Sequence, residues 1–132
     1  MFLLTAIFNA ASLDDVLADL KNSNIEGVTI SHVSGKGGLG DSLENGKPML
    51  YKNIRLEIVV SSVVFKELAK EAIRSNTPDL ATGAGKMWVT PVLEVERIRT
   101  GETDKAALEH SKVKKIKHHT QYFYTTENTP LS

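Results

Sequence analysis

Ile54-Arg55-Leu56-Glu57-Ile58-Val59-Val60 alternates strictly: Ile54, Leu56, Ile58 and Val60 fall on one face of an extended chain, Arg55, Glu57 and Val59 on the other. The alternation stops at Ser61-Ser62. Val64, Phe65, Leu68, Ala69, Ala72 and Ile73 then recur at helical spacing, with either serine able to cap the first turn. A glycine-bearing loop over 76–85 follows, and Lys86 to Ile98 reads as strand, with Pro91 marking a sheet edge or a break between two strands. Strand, helix and strand form one unit.

Working upstream, the same unit appears again. Phe2 to Phe8 is a short apolar run suited to a buried strand, and Ser12 is the expected cap of a helix carrying Asp14 and Asp15 near its positive end. Leu13, Val16, Leu17 and Leu20 line that helix, 22–24 end it, and Ile25 to Val33 reads as the second strand. Two such units in succession predict an α+β fold: a ferredoxin-like βαββαβ arrangement with both helices on one face of a four-stranded sheet. Residues 34–53, with Gly35, Gly37, Gly38, Gly40, Gly46 and Pro48, are expected to form a long loop between strands 2 and 3. One domain over 1–108 and an extension over 109–132 follow, the latter peripheral or part of an oligomer contact.

Composition agrees with one ordinary globular domain: 132 residues, 41% hydrophobic and 24% charged. Sixteen basic residues balance sixteen acidic ones, which argues against a general nucleic-acid coat. With no cysteine, disulfides, thiolate metal sites and a cysteine nucleophile are excluded. The apolar start has no preceding basic residue and is soon interrupted by Asn9, so a targeting segment is not expected. No run approaches the roughly 20 apolar residues needed to cross a bilayer, and a cytoplasmic location is the expectation.

Several motifs carry possible chemistry. Gly35-Lys36-Gly37-Gly38-Leu39-Gly40 matches GxGxxG, but it leads into loop rather than helix, so a dinucleotide site is not expected. Gly83-Ala84-Gly85-Lys86 is different: closely spaced glycines let amides turn toward an anion, and the lysine adds charge. Arg97-Ile98-Arg99, if extended, sets two guanidinium groups on one face ~7 Å apart, suited to phosphate oxygens, although a turn and a solvated strand end explain these residues equally well. His32, His110, His118 and His119 lack metal-ligand spacing, and the lysines at 112, 114, 115 and 117 read as a solvated face. Trp88 and Phe65 are expected in the core. No nucleophile elbow or catalytic carboxylate pair emerges, so neither an enzyme nor a resident metal or cofactor is expected.

Five segments together carry a resemblance: Ser12-Leu13-Asp14-Asp15-Val16, Gly27-Val28-Thr29-Ile30, Glu57-Ile58-Val59-Val60, Gly83-Ala84-Gly85-Lys86 and Arg97-Ile98-Arg99-Thr100-Gly101-Glu102. In this order and spacing, over about residues 3 to 108, the chain resembles the PII signal-transduction family. The resemblance implies a homotrimer of ferredoxin-like subunits that binds ATP, ADP or AMP in inter-subunit clefts. It places the phosphates near Gly83, Ala84, Gly85, Lys86, Arg97 and Arg99, with Thr29 and Val59 beside the adenine or ribose and Glu57 pairing with Lys86. The backbone of Gly35, Lys36, Gly37 and Gly38 would approach the phosphates from the long loop. That loop would signal to a transporter or enzyme, with the chain at most peripheral to a membrane through such a transporter.

The departures from the family pattern have consequences. The loop is shorter than in nitrogen-regulatory members, Leu39 stands where they carry a magnesium-holding glutamine, and Gly38 where an arginine reaches the phosphates. Leucine cannot coordinate magnesium. These changes resemble a carboxysome and inorganic-carbon branch that binds ADP or AMP with bicarbonate; the alternative is a nitrogen-regulatory protein sensing ATP, ADP and 2-oxoglutarate. Two further readings stay open: a metal-handling trimer similar to the copper-tolerance CutA proteins, using His32 or His118-His119, and a slow nucleotide hydrolase.

Overall fold

A computed structural model describes residues 1–36, 50–78 and 85–109, with the backbone of 43–44 and 47–48. The strands are β1 (Phe2–Phe8), β2 (Thr29–Gly35), β3 (Leu43–Glu44), β4 (Lys47–Pro48), β5 (Tyr51–Val60) and β6 (Lys86–Pro91). The helices are α1 (Leu13–Asn22), α2 (Val63–Asn76) and the short α3 (Lys105–Leu108). The main sheet has the order β2-β5-β1-β6 with every neighbouring pair antiparallel. Each α-helical connection therefore crosses over one intervening strand, which is the ferredoxin-like arrangement read from the two repeated units.

The alternation of β5 decides which face is covered. Ile54, Leu56, Ile58 and Val60 are buried, joined by Leu4, Ala6 and Phe8 of β1, Val16 and Leu20 of α1, and Ala69, Ala72 and Ile73 of α2. Leu13, Leu17 and Phe65 pack against this core partly buried. The opposite face of the sheet is less covered: among the described residues Thr5 is buried there, while Leu3, Ile7, Glu57 and Val59 are half-buried. Val64 (68% exposed) and Leu68 (41%) lie outside the contact, because α2 meets the sheet through the narrower strip centred on Ala69 and Ala72. Trp88 is also 41% exposed in a single chain, contrary to the expected core position, because it sits on the less covered face of an edge strand.

Several boundaries move. β2 begins at Thr29 rather than within 25–28, although Ile25 before it is buried. Order reaches into 34–53 from both sides: β2 runs to Gly35, β5 starts at Tyr51, and β3 pairs with β4 as a small ribbon in place of an uninterrupted loop. β6 stops at Pro91, so 92–98 is not strand. Pro91 thus ends an edge strand, where its missing N–H is tolerated.

The helix caps separate two cases. Ser12 makes no side-chain cap; instead Asn9 Oδ1 accepts the Ala11 N–H (2.8 Å) and caps a 3₁₀ turn, Ala10–Ser12, that leads into α1. Ser62 is the cap of α2, its Oγ accepting the Phe65 N–H at 3.2 Å. Ser62→Ala is expected to cost about 1 kcal/mol of stability, seen as a lower urea midpoint at unchanged slope. An unchanged midpoint would show that the cap contributes nothing.

Candidate functional site

The register of β1 gives the sheet two ends. Ile7 lies opposite Arg55 and Lys86, whereas Phe2 lies opposite Val60 and Pro91. Gly35 pairs with Tyr51 beyond the Ile7 end, and Lys36 follows it. Gly85 and Lys86 lead into β6 at that same end. Thr29 and Glu57 sit mid-sheet on the less covered face, in one row with Thr5 and Trp88: Thr29 opposite Glu57, Glu57 opposite Thr5, Thr5 opposite Trp88. Val59 lies nearer the Phe2 end, opposite Leu3. Of the expected site residues, Gly37, Gly38, Gly83 and Ala84 lie outside the described residues, as does Leu39.

Glu57 pairs with its strand neighbour Arg55, whose Nε lies 3.6 Å from Glu57 Oε1, an ion-pair distance too long for a hydrogen bond. Two residues apart on one strand, the two side chains share a face. Lys86, the expected partner, stands exposed across β1 from Arg55. Gly85 has a packing reason of its own. Its φ is +95°, and a Cβ there would lie 1.9 Å from the carbonyl oxygen of Ile7. The backbone at Gly85 is pressed directly against β1.

Arg97 and Arg99 are not on an extended segment. Residues 95–104 fold back as a narrow hairpin: Asp104 N–H donates to Val95 O (2.8 Å), Arg97 N–H to Glu102 O (2.8 Å) and Gly101 N–H to Arg97 O (2.8 Å). A bridge joins Glu96 and Thr103. Gly101 takes φ +76° at the turn, a conformation natural to glycine. The chain turns after Arg97 because this hydrogen-bonded closure outcompetes the extended reading. Ile98 is left 98% exposed, and Arg99 projects from the turn with no side-chain partner among the described residues.

Arg97 is held. Its Nε lies 3.2 Å from Glu102 Oε1, an ion pair without hydrogen-bond alignment, and Thr100 Oγ1 donates to the same carboxylate oxygen at 2.7 Å. Its Nη2 donates to Ala107 O (2.9 Å), more weakly to Ala106 O (3.5 Å), and to Glu109 O. These carbonyls close the C-terminal end of α3, where helical partners run out and a cation is favoured. Glu102, quoted in the motif but given no role from sequence, is the residue that fixes the guanidinium.

A cleft of 270 Å³ opens at the Phe2 end, lined by Gly27, Val59, Phe65, Arg97, Leu108 and Glu109 among others. It joins Val59 to Arg97, but Gly85 and Lys86 are not in it. Along β1 and β6 the two ends are five residue pairs apart, roughly 17 Å. One chain therefore does not gather Lys86, Arg97 and Arg99 around a single phosphate. Among the described residues no three metal-ligating side chains come together, and His32 is exposed on edge strand β2; His110, His118 and His119 lie outside them. Among the described residues no helix is long and apolar enough to cross a membrane.

Comparison with known proteins adds a second line of evidence. Residues 1–102 match the family described as nitrogen regulatory protein P-II. Nitrogen regulatory protein P-II 1 of Methanothermobacter thermautotrophicus is 38% identical over 110 residues, spanning 80% of this chain and 95% of that one. The nitrogen regulatory protein P-II of Synechocystis sp. is 34% identical over 109 residues (78% and 96%), and that of Azospirillum brasilense 33% over 109 residues (75% and 92%).

Proposed function

The chain belongs to the nitrogen regulatory protein P-II family, and from that premise we propose a regulator whose signal is an adenine nucleotide held between protomers of a trimer. The observation that carries this reading is the separation of the cationic groups. Gly85 and Lys86 stand at one end of the sheet and Arg97 with Arg99 at the other. A head-to-tail ring brings the Phe2 end of one copy to the Ile7 end of the next, and such heterologous contacts close into cyclic oligomers. Each seam then has a glycine turn and a lysine from one copy and two arginines from its neighbour. The less covered sheet face with Thr29, Glu57 and the half-exposed Trp88 provides apolar and polar surface for the copies to share.

The names of the relatives favour a role in nitrogen regulation; in that reading the proposed sensed molecules are ATP or ADP and 2-oxoglutarate. A second reading is favoured by one feature of this sequence: Leu39 and Gly38 replace side chains that would hold magnesium and reach phosphate. Bicarbonate, a small planar anion that amides and arginine can hold, is the co-ligand of that reading. In both, residues 34–53 carry the message to a transporter or enzyme, and the nucleotide shifts the loop only by its affinity difference between loop states.

Calorimetric titration with ATP, ADP and AMP is the test, repeated with magnesium plus 2-oxoglutarate and with bicarbonate, alongside sedimentation for the trimer. Uptake of a nucleotide by a trimer is expected. Magnesium-dependent 2-oxoglutarate binding selects the nitrogen reading, and a bicarbonate-linked gain in ADP affinity selects the other. A chain that takes up none of the three nucleotides refutes both.

A further inference from the structure

We propose that Arg97 is a shared group, gripped by the 105–109 turn and released from it when a nucleotide binds, so that nucleotide binding frees the segment from which the C-terminal extension departs. This rests on the nucleotide reading above and adds its regulation. The argument begins with the shape of a guanidinium. It offers two edges that can present paired N–H donors to a phosphate, Nε with Nη2 and Nη1 with Nη2, and both include Nη2. In this structure Nη2 is committed to the carbonyls of Ala107 and Glu109, and Nε faces Glu102. Neither two-donor edge is open.

The same contacts hold the turn. α3 is only four residues long, and the Ala107 N–H reaches back to Asp104 O (2.9 Å). A single helical turn is not stable alone, so its carbonyls depend on the cation that caps them. Ala107, Leu108 and Glu109 also form a wall of the cleft that contains Val59. A phosphate that takes Nη2 removes the cap, opens that wall and loosens the chain at Glu109, where 23 further residues follow. Before binding, only the fraction of molecules with Arg97 released is competent, which lowers the apparent affinity by that fraction.

Two full-length measurements and two truncations test the proposal, all with ADP. Hydrogen exchange at the amides of 105–109 is expected to rise on ADP saturation. Ala107→Pro, which removes the Ala107 N–H and displaces the turn, and a chain ending at Asp104 are each expected to bind ADP on the order of tenfold more tightly than the intact chain. A chain ending at Glu109 keeps the grip and is expected to bind like the full one. Unchanged exchange, or equal or weaker ADP binding by both the Ala107→Pro and Asp104-ended chains while the intact chain binds, overturns the shared role of Arg97 and leaves the nucleotide reading standing. Absence of ADP binding by the intact chain and by every variant, together with no uptake of ATP or AMP, refutes that reading itself. ADP uptake by the two released forms alone is the strongest support.

Discussion

Gly85→Ala is expected to lower the melting temperature by on the order of 15 °C. Two costs combine. A methyl group at φ +95° strains the backbone by about 1–2 kcal/mol. The same methyl would stand 1.9 Å from Ile7 O, a backbone atom of the central strand that cannot step aside without moving β1. Overpacking of that kind costs about 1–3 kcal/mol. For a chain of 132 residues each kcal/mol lowers melting by roughly 3–5 °C, and the two effects fall on one site. Gly27→Ala is the control, since a Cβ there meets nothing within 4 Å and is expected to leave melting nearly unchanged. Thermal unfolding followed by circular dichroism compares them. Equal melting of the two variants would mean that β6 is not docked on β1 through this contact.

The fold was legible because its information is periodic. β5 writes its buried face into every second residue, and α1 writes its own at Leu13, Val16, Leu17 and Leu20. The repeat of strand, helix and strand leaves few topologies open. A serine cap at 61 or 62 was legible for the same local reason, and the structure selects Ser62; the cap expected at Ser12 does not form, because Asn9 three residues earlier starts a 3₁₀ turn that makes the serine hydroxyl superfluous. Trp88 shows the limit of composition: a large aromatic on an edge strand alternates as a core residue does, and only the sheet order tells which face it takes.

The candidate site was legible as chemistry but not as geometry. Gly83 to Lys86, Arg97 and Arg99 are recognisable as anion-seeking types, yet nothing in their spacing says that Lys86 and Arg97 stand at opposite sheet ends. Arg97-Ile98-Arg99 has the alternation of a strand, and its folding into a hairpin depends on Glu102 and Asp104, both supplied from downstream. The close approach of Ile7 to Gly85 is a tertiary fact that the motif spacing does not carry. The partner of Glu57 went to Arg55 because a same-face neighbour two residues away is nearer than one across a strand.

Arg99→Ala is expected to weaken ADP binding by roughly 30-fold, about 2 kcal/mol, with no change in melting temperature. The contrast with Arg97 makes this the cleaner probe. Arg97 supports the hairpin through Glu102 and the 105–109 carbonyls, so Arg97→Ala removes structure and ligand contact together. Arg99 projects from the turn with no partner among the described residues, so folding does not depend on its side chain and any loss belongs to the ligand. Arg99→Lys keeps a point charge but not the planar fork, and its affinity is expected between wild type and alanine. If both arginines grip one phosphate, the double alanine variant loses less than the sum of the single losses, as neighbouring groups on a shared partner do. Strict additivity would assign them to different groups of the ligand, and wild-type affinity in Arg99→Ala would remove this residue from the seam altogether.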